Sequence, residues 1–203
     1  LEIESKENEY TKVTLSFIQK IVEDNKVRER LEKNKQADIF DLTGKKVLRG
    51  EPNNLADGEY GLVVHVAIFN SEGEMLIQKR ASYKKWGDKW DISVGGCVSA
   101  SETSDVAAMR EVKEEIGLDI DLKDKRCNFT FTFEDGFDDI YLVNVDDIDL
   151  STLKLQQTEV SEVKWMTEEE ILKMNETGEF IPYQESYLKL LFEFRNAVDM
   201  CGE

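Results

Sequence analysis

The apolar and polar positions fall into two textures. Residues 1–35 are polar and densely charged and contain no Gly or Pro, yet Val13, Phe17, Ile18, Ile21, Val22 and Leu31 recur at helical spacing. That period predicts one long amphipathic helix, with its apolar stripe docked on the rest of the chain or on a second copy of it. From Asp38 the runs shorten. Residues 39–42 and 46–49 read as strands around the Thr43-Gly44 turn, and a Val-rich run over 61–70 turns through Ser71-Glu72-Gly73 into a strand over 74–80. A strand over 91–94 leads into Gly95-Gly96, and alternating strands over 128–134 and 140–145 flank Asp135-Gly136, a hairpin signal. A strand over 162–166 precedes Thr167 and Glu170, a capping-box pair that starts a helix reaching about Asn175. Pro182 breaks the chain, and residues 184–198 predict a last helix. Strands surrounding two or more helices give an α/β sandwich with a mixed sheet. One domain is expected over 36–203, preceded by a helical extension over 1–35.

Between the glycine pair and residue 118 the pattern is helical and acquires chemistry. Gly96 suits a tight strand-to-helix turn. Thr103 or Ser104 can cap the helix, and Gly117 suits a left-handed helix end. Val106, Met109, Val112 and Ile116 fall on one face. Glu111, Glu114 and Glu115 stand at i, i+3 and i+4 and so share another. Three carboxylates in one arc repel unless a cation relieves them, and Mg2+ binds through such oxygens together with substrate phosphates. Arg110 precedes the arc and can grip a carboxylate in a bidentate pair, fixing the ligand geometry. The bland alternative is a solvated helix with an acidic outer face.

Composition narrows the partners. The 203 residues carry a formal net charge of −17, a surface that repels nucleic-acid backbones. An acidic protein that handles phosphates needs cations, which again points to metal. Its apolar runs are too short to span a bilayer, and no secretory signal is visible at the N-terminus. Cys97, Cys127 and Cys201 form neither a disulfide framework nor a zinc spacing, so a reducing, cytoplasmic setting is expected. Lys79, Arg80, Lys84, Lys85 and Lys89 cluster before the helix with Trp86 among them. Arg80 and Lys85 could capture phosphate while Trp86 stacks on a base, or the segment is a solvated loop.

Residues 96–118 spell G-x5-E-x7-R-E-U-x-E-E-x-G-U, with U apolar and no position deviating. This is the Nudix box, and the chain resembles the Nudix hydrolase superfamily. The segments 38–52, 60–80, 90–96 and 161–167 are similar to the subgroup around isopentenyl diphosphate isomerase, so the likeness covers 36–198. The resemblance implies a Nudix-type α/β/α sandwich. It implies metal binding by Glu111, Glu114 and Glu115 with the Gly96 position, orientation by Arg110 and assistance from Glu102. The catalytic base varies among such enzymes; Glu159 and Glu162 are candidates after the box and Glu115 within it. Two departures limit the substrate. His65 is the one histidine, and Cys97-Val98-Ser99 lacks the Cys-Ser-His context of the isomerase, so His65 reads as a strand residue and Cys97 as a loop residue. Pro52 and Pro182 are the only prolines, so the proline markers of ADP-ribose and NADH enzymes are missing. The expectation is a Mg2+-dependent hydrolase, with Mn2+ possible, acting on a nucleoside diphosphate linked to another moiety or a similar small organic diphosphate. A possible homodimer is also expected. The alternatives are isoprenoid diphosphate isomerisation and a non-catalytic nucleotide or metabolite sensor.

Overall fold

A computed structural model describes residues 36–51, 54–146 and 148–197. The helical extension expected over 1–35 lies outside the described residues. The elements are β1 Ala37–Phe40, β2 Lys46–Gly50, β3 Gly61–Phe69, β4 Met75–Arg80, β5 Trp90–Asp91, β6 Val94–Cys97, α1 Ser104–Ile116, β7 Phe129–Phe133, β8 Gly136–Asn144, β9 Val160–Met166, α2 Glu168–Thr177 and α3 Glu185–Phe194.

Strict alternation along β3 and β4 builds two apolar faces from one sheet. Val64, Val66, Ile68 and Leu76 pack under α1 with Ala107, Ala108, Val112 and Ile116. Ala67, Phe69, Met75 and Ile77 face the other way, against Ile171 and Met174 of α2 and Leu188, Leu191 and Phe192 of α3. The result is an α/β/α sandwich around a seven-stranded mixed sheet in which β3 runs parallel to β8 and antiparallel to β6. The Asp135-Gly136 signal is realised as the β7–β8 hairpin. The expected capping box starts α2: the Thr167 hydroxyl accepts from the Glu170 N–H, and the Glu170 carboxylate accepts from the Thr167 N–H at 2.9 Å.

The strand expected over 91–94 is two strands. β5 pairs with β4, whereas β6 pairs with β3, because β3 and β4 meet only at Phe69↔Met75 and then splay. Ser93 spans the fork: its buried hydroxyl donates to the Leu76 carbonyl at 2.5 Å and accepts from the Ile68 N–H at 2.8 Å. The fork leaves β6 on one prong and β4 on the other, both beneath α1.

A small ribbon of β1 and β2 clasps the loop before α1. Asp38 accepts from Lys46 at 2.7 Å and from the Ser101 N–H at 3.1 Å, and the Ala100 N–H donates to the Gln36 carbonyl at 2.7 Å. Ordering that loop fixes where α1 begins.

Candidate active site

Helix α1 buries a stripe that includes its carboxylates. Ala107, Ala108, Glu111, Val112, Glu115 and Ile116 are buried, and Glu111 and Glu115 are each only 5% exposed. Val106, expected on the apolar face, is 45% exposed, and the Glu114 side chain is 50% exposed. The three glutamates therefore do not share one solvated face: two turn inward and one outward. Thr103 stands at the N-cap without a side-chain cap bond, and Gly117 ends the helix in the left-handed conformation at φ 75°.

Gly96 lies within β6 rather than in a turn, opposite Val64. A Cβ there would sit 2.2 Å from the Glu111 carboxyl carbon. The glycine is needed for room: it lets the Glu111 carboxylate lie against the strand, which corrects the turn expected at this position.

Arg110 organises the acidic groups around it. Its Nε and NH2 donate to the two oxygens of Glu102 at 2.8 and 2.9 Å, a bidentate pair. Its NH1 donates to Glu111 at 2.7 Å and reaches Glu114 at 3.4 Å, while NH2 also donates to the Cys97 carbonyl at 3.0 Å. Glu102 in turn accepts from the Ser99 N–H at 2.9 Å. Arg110 thus ties α1 to β6 and to the loop between them, and its side-chain bonds with Glu102 and Glu111 strengthen its hold on its own proton.

Glu115 sits over the other prong, and among the described residues it forms no ion pair. The loop between β8 and β9 returns to the helix end: the N–H groups of Lys154 and Gln156 donate to the Ile116 and Glu115 carbonyls at 3.0 and 2.8 Å. These bonds satisfy carbonyls that a helix end leaves open. The Ala81 N–H binds the Glu159 carbonyl at 2.9 Å, which closes the loop onto β4 and brings Glu159 close enough to Glu115 to repel it. Lys84 forms an ion pair with Glu159. Burial, then Glu111, then Glu159 push the Glu115 carboxyl up to about 8, against opposing effects from Lys84 and from a hydrogen bond with Gln78. Glu115 Oε2 and Gln78 Oε1 are both buried without a hydrogen-bond partner among the described residues.

As they stand, no three His, Cys, Asp or Glu side chains among the described residues converge into a cation cage. Glu102, Glu111 and Glu114 are directed onto Arg110. The donor chemistry still suits a hard divalent cation. The groups are carboxylates, and one buried carboxylate oxygen lacks any donor, a costly state that a cation relieves.

The remaining expectations divide sharply. Glu162 pairs with Lys79 in the β4–β9 register, whereas Gln78 and Val163 face α1. Glu162 therefore projects from the opposite face of the sheet to Glu111 and Glu115, and the sequence had no means of showing it. Arg80, expected to capture phosphate, is tied to buried Asp91 at 2.9 Å and to the Lys85 carbonyl at 3.0 Å. Lys89 bonds the Gly178 carbonyl. Lys85 is exposed beside Trp86, which is 44% exposed and holds φ 61°. His65 lies in β3 with Nδ1 at 2.8 Å from Asp138; burial, the largest single effect, lowers its affinity for a proton, and Asp138, Asp91 and Glu115 together leave it raised. Cys97 ends strand β6 instead of lying in a loop. Gln78 carries no role in the sequence, and Lys84 enters there only within the basic cluster before the helix, without its pairing to Glu159. The signal for Gln78 is a polar residue at a face-inward position two after Leu76. An open hollow of about 1090 Å3 near Asn70, Ile120, Tyr141 and Arg195 contains none of these carboxylates.

Comparison with known proteins agrees with the box. The family model for the NUDIX domain matches residues 59–185. Over 158 residues the chain is 47% identical to an uncharacterized Nudix hydrolase of Listeria monocytogenes, covering 77% of this chain and 90% of that protein. A second, from Listeria innocua, is 48% identical with the same coverage. Among solved structures, a Deinococcus radiodurans protein superposes with a TM-score of 0.62 at 24% identity, covering 78% of this chain and 98% of that one, which supports the fold. These relatives lend no support to the isopentenyl diphosphate isomerase subgroup or to isomerase activity. Nudix hydrolases act on small molecules and generally use a divalent metal, and no described helix is long and apolar enough to cross a membrane. With the complete box running from β6 through α1 and a family match spanning most of the sandwich, the chain belongs to the Nudix family and is a Nudix hydrolase.

Proposed function

We propose that this hydrolase cleaves the diphosphate of a nucleoside diphosphate linked to another moiety, or of a similar small organic diphosphate, with Mg2+ as the working cation and Mn2+ as a substitute. The observation that carries this reading is Glu115, a buried carboxylate beside Glu111 and Glu159 with one oxygen lacking any donor. Glu111, Glu114, Glu115 and the Gly96 backbone would hold the metal. A bound divalent cation neutralises the diphosphate and lowers the pKa of its water. Arg110 keeps Glu111 and Glu102 in fixed relation, so the ligand set is arranged in advance. Glu159 is the candidate base: it removes a proton from the attacking water, whose oxygen bonds to phosphorus as the bridging P–O bond breaks. Lys84 pairs with Glu159 and fixes its position, and exposed Lys85 and Trp86 offer a cation and a flat face to the rest of the substrate.

The test is product release from a panel of nucleoside diphosphate conjugates and simple organic diphosphates, with Mg2+ and with a chelator. At least one compound should be cleaved in a Mg2+-dependent manner. Cleavage that persists under chelation, or that is confined to compounds without a diphosphate, would sink the reading.

A further inference from the structure

Gln78 stands where an apolar residue is expected. It is 3% exposed and sits mid-strand in β4, between Asp91 of β5 and Val163 of β9, on the face that Leu76 lends to the core under α1. Its side chain hydrogen-bonds Glu115, and Gln78 Oε1 has no partner among the described residues, so it is the amide N–H2 that faces Glu115. That choice sends the amide oxygen elsewhere. Gln78 Oε1 is left buried with no donor, as is Glu115 Oε2. Two neighbouring buried acceptors without a donor are a rare arrangement in a fold that satisfies its other polar groups here, such as Ser93 and Glu102. Both are met by one kind of partner, a hydrated cation: carboxylates bind the ion, and an amide carbonyl accepts from water that a small divalent ion keeps around it.

We infer that Gln78 is a positioning residue of the metal site, holding Glu115 through its amide N–H and accepting from the hydrated cation through its carbonyl. This rests on the proposed metal role of Glu115. The β4 backbone is paired on both sides, so the side chain projects from a rigid base, as such a role requires.

The measurement is Mn2+ affinity by paramagnetic resonance on the full chain, for wild type and Gln78→Leu, with thermal unfolding of both in chelator. The variant should bind Mn2+ roughly 10- to 100-fold more weakly. It should unfold no earlier than wild type in chelator, because it removes a buried acceptor that lacks a partner. A purely structural Gln78 would give the reverse, an unchanged affinity with a lower midpoint, and that result overturns the inference. Should the variant fail to fold, the side-chain amide resonances of wild-type Gln78 decide the matter. They should move with Mg2+ to saturation while those of Asn175, a partly buried amide whose Oδ1 also lacks a partner, stay put; an unmoved Gln78 overturns the inference. Absence of any divalent site in wild type would instead overturn the metal reading beneath it.

Discussion

At Glu115 burial and charge act in the same direction. The side chain is 5% exposed, with Glu111 and Glu159 near enough to repel it, and its pKa rises from 4.5 to about 8. In metal-free protein the folded state then keeps a proton that the unfolded chain releases above about 4.5. A folded state that binds more protons loses stability as pH rises, so the loss runs from about 4.5 to about 8 and levels off once both states are deprotonated. The upper bound is roughly 1.4 kcal/mol for each pH unit crossed. In chelator, urea unfolding should therefore show wild type falling by roughly 2–4 kcal/mol more than Glu115→Gln between about pH 5 and pH 8. Saturating Mg2+ should flatten that difference, since the cation takes the proton's place. Parallel pH profiles for the two proteins in chelator would refute the perturbed carboxyl.

The element scale decides which glutamate can be the base. Glu159 and Glu162 are three residues apart, and nothing local ranks them. Register does: β9 pairs with β4 so that Lys79 opposes Glu162 while Gln78, beneath Glu115, opposes Val163. The pairing slips by one between Lys79 and Arg80, so Arg80 opposes Val160 and no face can be counted through from Arg80. Glu159 lies just before the strand, in the loop fastened to the α1 end through Gln156 and to β4 through Ala81. Replacing Glu159 with Gln should lower kcat by at least roughly 10^2-fold, whereas Glu162→Gln should stay within a few-fold of wild type. Steady-state rates on one verified substrate measure both, and equal losses would refute the assignment. The same contrast separates what the chain discloses from what it withholds. Helix α1, its left-handed Gly117 end, the Thr167–Glu170 cap and the β7–β8 hairpin rest on neighbours within a few residues, and all were legible. The strand fork at Ser93, the spatial need for glycine at 96, the inward turn of Glu111 and Glu115 and the diversion of Arg80 to Asp91 rest on partners far along the chain. A hydrophobic period says which face is buried, but it does not say that two carboxylates will share it.

Over the whole molecule the formal charge of −17 opposes the anionic diphosphate proposed as substrate. A diphosphate ester is an anion, so at low ionic strength the mean field slows its approach, while mobile ions screen that field beyond about 10 Å at 0.1 M salt. The local field has the other sign on one side of the site. Lys84 and exposed Lys85 stand in the loop after β4, although Lys84 is shared with Glu159 and the guanidinium of Arg80 is held by Asp91. With so few basic groups uncommitted, the net charge should dominate encounter. At saturating Mg2+, kcat/KM should therefore rise several-fold as salt increases from about 10 to 150 mM, opposite to the fall seen where attraction steers the ligand. Saturation matters because salt also weakens cation binding to an acidic protein, which would mask the rise. Lys85→Glu should steepen the dependence, and stopped-flow or initial-rate measurements at limiting substrate would show it. A kcat/KM that falls with salt would mean that the loop cations outweigh the rest of the surface, and that the acidic residues lie far enough from the entrance to be screened before the substrate arrives.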